Sequence, residues 1–233
     1  MKYFFLVFSM FLFFTAFTQE ILSKQLTEFS EIIVVGRYQV TLVPGNEYNA
    51  TVTINSNDII PENIQYNFSG ETLTLRVSGS SLRDIDVHFE IEVPALNHIQ
   101  ARNGAKLTLE DGFNFNEPLE LLTENGGKIQ VKSSNSPWVK ASVSQGGYIR
   151  VNGTTSLAEL SVRAGGTIGA TDLVAEKVNA TVTVGGKIVC HALQNLNAEV
   201  RTGGYIYYKG DPEVKEKISL SGVIEKYESY KDE

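Results

Sequence analysis

Apolar and polar residues alternate along almost the whole of this chain, and helical periodicity is nearly absent. Alternation at period two predicts strands with one buried and one wet face. Before residue 95 the predicted strands are Ile32–Val35, Tyr38–Val43, Tyr48–Ile54, Ile64–Phe68, Thr72–Val77 and Asp84–Val93. Turn residues separate them at Pro44-Gly45-Asn46, Ser69-Gly70 and Ser78-Gly79-Ser80. Ser56-Asn57-Asp58, before Ile59-Ile60, is expected to cap a single helical turn. This stretch, 19–95, shows no repeat. It reads as a β-rich N-terminal cap that either forms its own small domain or covers the first rung of a C-terminal repeat region.

From residue 96 to 226 the alternation is organised by a repeat. Gly126-Gly127-Lys128-Ile129 returns as Gly146-Gly147-Tyr148-Ile149, Gly165-Gly166-Thr167-Ile168, Gly185-Gly186-Lys187-Ile188 and Gly203-Gly204-Tyr205-Ile206. Weaker copies flank it at Gly104-Ala105-Lys106-Leu107 and Ser221-Gly222-Val223-Ile224. The apolar anchors at 107, 129, 149, 168, 188, 206 and 224 are spaced by 22, 20, 19, 20, 18 and 18 residues. A period near 20 residues predicts a solenoid, in which each short unit buries its apolar face against the next. Within each unit the residues one, three, five and seven places before the Gly pair are expected to point inward, as are Ile129, Ile149, Ile168, Ile188 and Ile206. So are Val131, Val151, Ala170, Cys190 and Tyr208, two residues further on. Each rung then comprises a strand of about seven residues, a Gly-Gly corner, a strand of about four and a polar return loop. The corners call for positive φ and for close stacking of one corner on the next. The architecture predicted is a right-handed parallel β-helix of six to seven rungs, the hand following the crossover rule.

Certain of these residues resemble a known group. Phe29-Ser30-Glu31-Ile32-Ile33-Val34-Val35-Gly36-Arg37-Tyr38-Gln39-Val40, Ile91-Glu92-Val93-Pro94-Ala95-Leu96, Asn103-Gly104-Ala105, the Gly-Gly-x-Ile repeats, and Gly210-Asp211-Pro212 with Lys217-Ile218-Ser219-Leu220-Ser221-Gly222-Val223-Ile224 are similar to the secreted bacterial family called putative auto-transporter adhesin, head GIN domain. The likeness runs from about residue 30 to 226. It implies a β-helical fold, export and an adhesive or cell-surface role, with no catalytic residues to carry over. Ser221, where Gly is usual, departs from the pattern and marks a relaxed terminal rung.

The first residues add a compartment. Lys2 precedes an apolar run from Phe4 to Phe17, which reads as a secretory leader spanning 1–18 with cleavage before Gln19; a retained N-terminal anchor is the alternative. No second apolar run is present, so stable membrane insertion after cleavage is not expected. The mature part carries 19 basic and 27 acidic residues, which argues against nucleic acid as a partner. Cys190 is the only cysteine, so no intramolecular disulfide forms. Its inward register makes it a small buried hydrophobe. Trp138 is expected to open its strand and pack over a corner. Residues 227–233 form a polar tail.

Candidate chemistry is sparse. The outward acids Glu120 and Glu159 share a column with Lys140 between them, and Glu124 shares another with Ser144, Arg163, Thr183 and Arg201. Glycoside-cleaving sites need convergent carboxylates, and no rung offers a side-by-side pair. Asp84, Asp86, His88, Glu90 and Glu92 face one side of one strand. Of these, Asp84, Asp86 and His88 are weak metal candidates, because ligands from neighbouring strands would also be needed. No cofactor is expected. The most suggestive surface feature is the outward column Lys128, Tyr148, Thr167, Lys187 and Tyr205, with Gln130, Arg150, Gly169, Val189 and Tyr207 beside it. Tyr faces with Lys and Arg donors suit a glycan or a surface protein, and Lys128, Tyr148, Arg150, Lys187, Tyr205 and Tyr207 are the candidate binding residues. The expected function is an exported, non-catalytic adhesion or binding module, free to oligomerise. A carbohydrate-active β-helix enzyme and a purely structural envelope protein are the alternatives.

Overall fold

The structure, a computed structural model, describes residues 20–56, 58–80 and 82–227. The expected leader and most of the polar tail lie outside the described residues. In chain order the strands are β1 (Glu20–Gln25), β2 (Glu31–Val35), β3 (Gln39–Pro44), β4 (Asn49–Ile54), β5 (Ile64–Ser69), β6 (Thr72–Val77), β7 (Val87–Val93) and β8 (His98–Arg102). They continue as β9 (Lys106–Leu109), β10 (Leu119–Glu124), β11 (Lys128–Ser134), β12 (Trp138–Ser144), β13 (Tyr148–Ala164), β14 (Thr167–Val184), β15 (Lys187–Lys209) and β16 (Glu213–Lys226).

They build a parallel β-solenoid of about six turns. Sheet one stacks the strands that come after each corner: β3, β9, β11, the starts of β13, β14 and β15, and the last residues of β15 and β16. Sheet two stacks the strands that precede each corner: β2, β8, β10, β12, the end of β13 and of β14, the middle of β15 and the first part of β16. Inward residues of both sheets fill one core. Ile129, Ile149, Ile168, Ile188 and Ile206 are buried as the register requires, and Val131, Val151, Ala170 and Cys190 lie buried beside them. Burial pushes the Cys190 thiol up to about 12, so it stays protonated and packs as a hydrophobe.

The residue just before the Gly pair is not inward. Gln145, Ala164, Val184 and Thr202 are all exposed, because the chain has begun its turn there and the alternation breaks one residue early. The return loops also differ from expectation. Gly153, Thr154 and Thr155 pair with Leu173, Val174 and Ala175, and Val174 and Ala175 pair with His191 and Ala192. Leu173, Ala175 and Ala192 are buried. The middle returns therefore form a short third ladder, while the earlier returns and the last one, Gly210-Asp211-Pro212, remain loops.

The N-terminal strands join the same ladders in an order the chain does not follow. The first rung in sequence, β2 with β3, lies between two later ones: β6 and β7 stack on its one side, and β8 and β9 on the other. β4 then adds antiparallel to β7, β1 to β4, and β5 to β6. These antiparallel strands cover the end that a solenoid would otherwise leave open. Phe89 and Tyr38 pack ring to ring inside this end at 5.4 Å. A single helical turn forms at Pro61–Asn63 with Ile60 at its N-terminal cap; Asn57, in the stretch expected to cap it, lies outside the described residues. There Pro supplies a preset φ, and the Asn63 side chain accepts the Ile60 N–H at 3.0 Å. Trp138 does open β12; it is half-buried, and its ring N–H is enclosed without a partner.

One inward column of sheet two reads Ala101, Thr123, Val143, Val162, Val182 and Val200. Thr123 is 1% exposed, and its hydroxyl has no hydrogen-bond partner. Enclosing an unpaired hydroxyl costs about 1–3 kcal/mol. The shape of valine is already accommodated on the next rungs. Thr123→Val is therefore expected to stabilise the fold by about 1 kcal/mol and to raise the thermal midpoint by about 2–4 °C, as differential scanning calorimetry would measure.

Candidate functional site

The outward columns of sheet one form as the repeat requires. Lys106, Lys128, Tyr148, Thr167 and Lys187 are successive ladder partners, and the Tyr205 N–H extends the ladder by donating to the Gly186 carbonyl at 3.0 Å. Beside them run Gln130, Arg150, Gly169 and Val189.

These candidate residues divide into three groups. Lys128 sits directly opposite Lys106, a like-charged neighbour, at one end of the strip. In the middle, Arg150 is committed to Asp172 at 3.1 Å, and Tyr148 reaches over Gly169, where its hydroxyl lies 3.6 Å from the place a Cβ would occupy. Lys187, Tyr205 and Tyr207 come together at the C-terminal end. The Tyr205 and Tyr207 rings, two residues apart on one strand, lie 6.0 Å apart and within 7° of parallel. Lys187 Nζ stands 5.2 Å from the centre of the Tyr207 ring, close enough for a cation–π contact.

Other side chains complete this end. Lys187 and Tyr207 border a cleft of about 740 Å³ with Tyr208, Glu225, Lys226 and Tyr227, and the buried Ile224 forms its apolar base. That volume lies in the range of small-ligand sites. Lys209 Nζ stands 5.5 Å from the Tyr227 ring centre, and Lys226 pairs with Asp211. Tyr208, at a position the repeat assigns to the core, is only partly buried at the last rungs and lines the cleft. Tyr227, just beyond the last repeat, carries no periodic signal.

Elsewhere the acids are dispersed. Glu120 and Glu159 are two rungs apart with Lys140 between them. The Lys140 ammonium, hydrogen-bonded at 3.0 Å, holds the Glu120 carboxyl below the usual carboxylate range. A general acid needs the opposite shift. Glu199 is likewise held low by Arg201 and Lys217. On β7, His88 faces Gln39 and Thr53, and Glu90 faces Thr41 and Thr51. The Asp86 carboxylate accepts from the Asn55 side chain at 3.3 Å. Asp84 and Asp86 precede the strand that carries His88, and the side chains brought to Asp86 and His88 are neutral rather than anionic. Among the described residues no three His, Cys, Asp or Glu converge as a metal-binding group.

A family model described as putative auto-transporter adhesin, head GIN domain, matches residues 28–212. Similar solved structures include a putative adhesin from Bacteroides fragilis, at TM-score 0.75 and 22% identity, covering 90% of this chain and 97% of that one. A putative adhesin from Parabacteroides distasonis is similar at TM-score 0.73 and 19% identity, covering 91% and 98%. A protein from the same species described as a putative lipid binding protein is similar at TM-score 0.68 and 22% identity, covering 90% and 97%. No protein among those with curated functions matches the chain.

Proposed function

This chain belongs to the head GIN domain family of putative auto-transporter adhesins, and from that premise we propose that it is an exported, non-catalytic binding module that engages a glycan at the C-terminal end of sheet one. The observation that carries this reading is the parallel Tyr205–Tyr207 pair with Lys187 at 5.2 Å from the second ring, beside the Tyr208–Tyr227 cleft. Aromatic faces pack against the apolar faces of sugar rings, while lysines and tyrosine hydroxyls hydrogen-bond their hydroxyl groups. A stacked solenoid holds these groups on rigid ladders, so little ordering remains to be done on binding. The dispersed, ion-paired carboxylates support a non-catalytic role, and the apolar run from Phe4 to Phe17 supports export.

The test is retention on a glycan array. The parent protein is expected to bind a subset of glycans, and Tyr205→Ala with Tyr207→Ala is expected to weaken that binding about tenfold or more. The thermal melt should hardly move, because both rings are on the outer face. Failure of the parent to bind any glycan, with capture of a surface protein instead, would reassign the face to protein recognition. Retention of neither would favour the structural envelope role.

A further inference from the structure

Sheet two carries a second concavity on its own outer face, and its origin can be read from side-chain lengths. Three outward columns run side by side. The middle one holds Ser142, Ser161 and Thr181 on successive strands. Lys140, Glu159 and Asn179 stand on one side of it, and Arg163 and Arg201 belong to the column two residues further along the strands. Short hydroxyl side chains between long charged ones leave a trough of about 530 Å³. Along the stack, Leu122 is the next ladder position beyond Ser142 and Glu199 the next beyond Thr181. With strands about 4.8 Å apart and residues about 3.3 Å apart, the trough is about 14 Å long and about 13 Å across between backbones. That holds one or two sugar rings.

The charges in the trough are uneven. In a chain of net charge −7, its lining includes Lys140, Arg163 and Arg201 against the single acid Glu159. Lys140 is paired with Glu120 at 3.0 Å, and Arg201 with Glu199 at 3.2 Å. Among the described residues Arg163 has no ion pair, and it is exposed. A guanidinium offers a planar fork that fits a carboxylate, and the hydroxyl floor both donates and accepts. We propose that this trough is a second binding site, for a short acidic saccharide whose carboxylate is held by Arg163 and whose hydroxyls are held by Ser142, Ser161 and Thr181. It lies on the opposite sheet from the tyrosine cluster, and it stands or falls independently of the function assigned to that cluster.

Isothermal titration of the purified chain at low salt, with digalacturonate and uncharged cellobiose as probes, tests it. Digalacturonate is expected to bind at least about tenfold more tightly than cellobiose, and Arg163→Ala to remove about that factor. Arg163→Lys should restore part of it. Ser161→Trp, which fills the floor from the solvent side, should abolish binding while leaving the melt within a few degrees of the parent. Lys106→Ala, on sheet one, should change nothing. No heat with digalacturonate, equal affinity for cellobiose, or binding that survives both Arg163→Ala and Ser161→Trp would overturn the proposal.

Discussion

Gly127→Ala is expected to destabilise the protein by about 3 kcal/mol or more, whereas Gly126→Ala in the same corner should cost only about 1–2 kcal/mol. The sequence suggests one joint role for the pair, a turn through positive φ combined with close stacking. At this corner the structure divides the two roles between the residues, whereas Gly166, Gly186 and Gly204 each combine a positive φ with a close approach to the rung beneath. Gly126 has φ +78°, and a Cβ there would meet nothing within 4 Å, so its requirement is conformational alone. Gly127 lies outside the positive-φ region, but a Cβ there would fall 2.2 Å from the carbonyl oxygen of Ala101, on strand His98–Arg102 of the rung beneath. That oxygen belongs to backbone within a continuous ladder and cannot swing aside. Alanine at 127 must therefore force two rungs apart, and the Lys128 N–H to Ala105 carbonyl bond of 2.8 Å lies at the same junction. Urea unfolding of the two variants measures the difference. Equal losses would show that the corner is limited by φ and not by stacking.

Phe89→Ala is the second large effect, at about 3–5 kcal/mol. Phe89 is fully buried, packs on Tyr38 at 5.4 Å and on Tyr66 at 6.4 Å, and lies on the seventh strand, Val87–Val93. Truncation leaves a cavity bounded by aromatic rings that cannot collapse into it. Burial drives the Tyr38 hydroxyl well above the usual phenol range, so it stays protonated and donates to the Leu75 carbonyl at 2.8 Å. That contact ties Tyr38, which lies just after β2 in the first rung, to the strand Thr72–Val77. The lost stability should accordingly spread along the stack. Hydrogen exchange is expected to quicken in Gln39–Pro44 and Thr72–Val77 as well as in Val87–Val93, because the three share one core. Faster exchange confined to Val87–Val93 would mean that the N-terminal strands pack separately.

Those two sites mark the boundary of what is legible in the sequence. The repeat exposes the solenoid because identical neighbours must stack identically, and Ile129 through Ile206 keep the period without exception. Positions next to a corner obey the turn rather than the strand, which is why Val184, inward by alternation, is 53% exposed. The third ladder through Leu173 and Ala175 is obscured because its residues fall between turn-forming ones, with no alternation of their own. Insertion of the first rung between two later ones leaves no local trace at all, since it depends only on which ladders pair at long range. The tyrosine face is half legible. Lys187, Tyr205 and Tyr207 belong to the repeat, but Tyr208 departs from it because its ladder partner beyond is the charged Lys226 instead of another apolar residue, and Tyr227 lies beyond the last copy. The trough on sheet two is visible as columns of mixed charge, but its depth comes from the short Ser142, Ser161 and Thr181 side chains between longer ones, which a column-by-column reading of charge passes over.

The most direct measurement of the proposed function is a crystal structure of the protein with the glycan it retains best on the array. A sugar ring is expected against Tyr205 and Tyr207, with Lys187 in hydrogen-bond reach and the saccharide continuing toward Tyr227. A glycan seated elsewhere, with the two tyrosine rings uncovered, would contradict it.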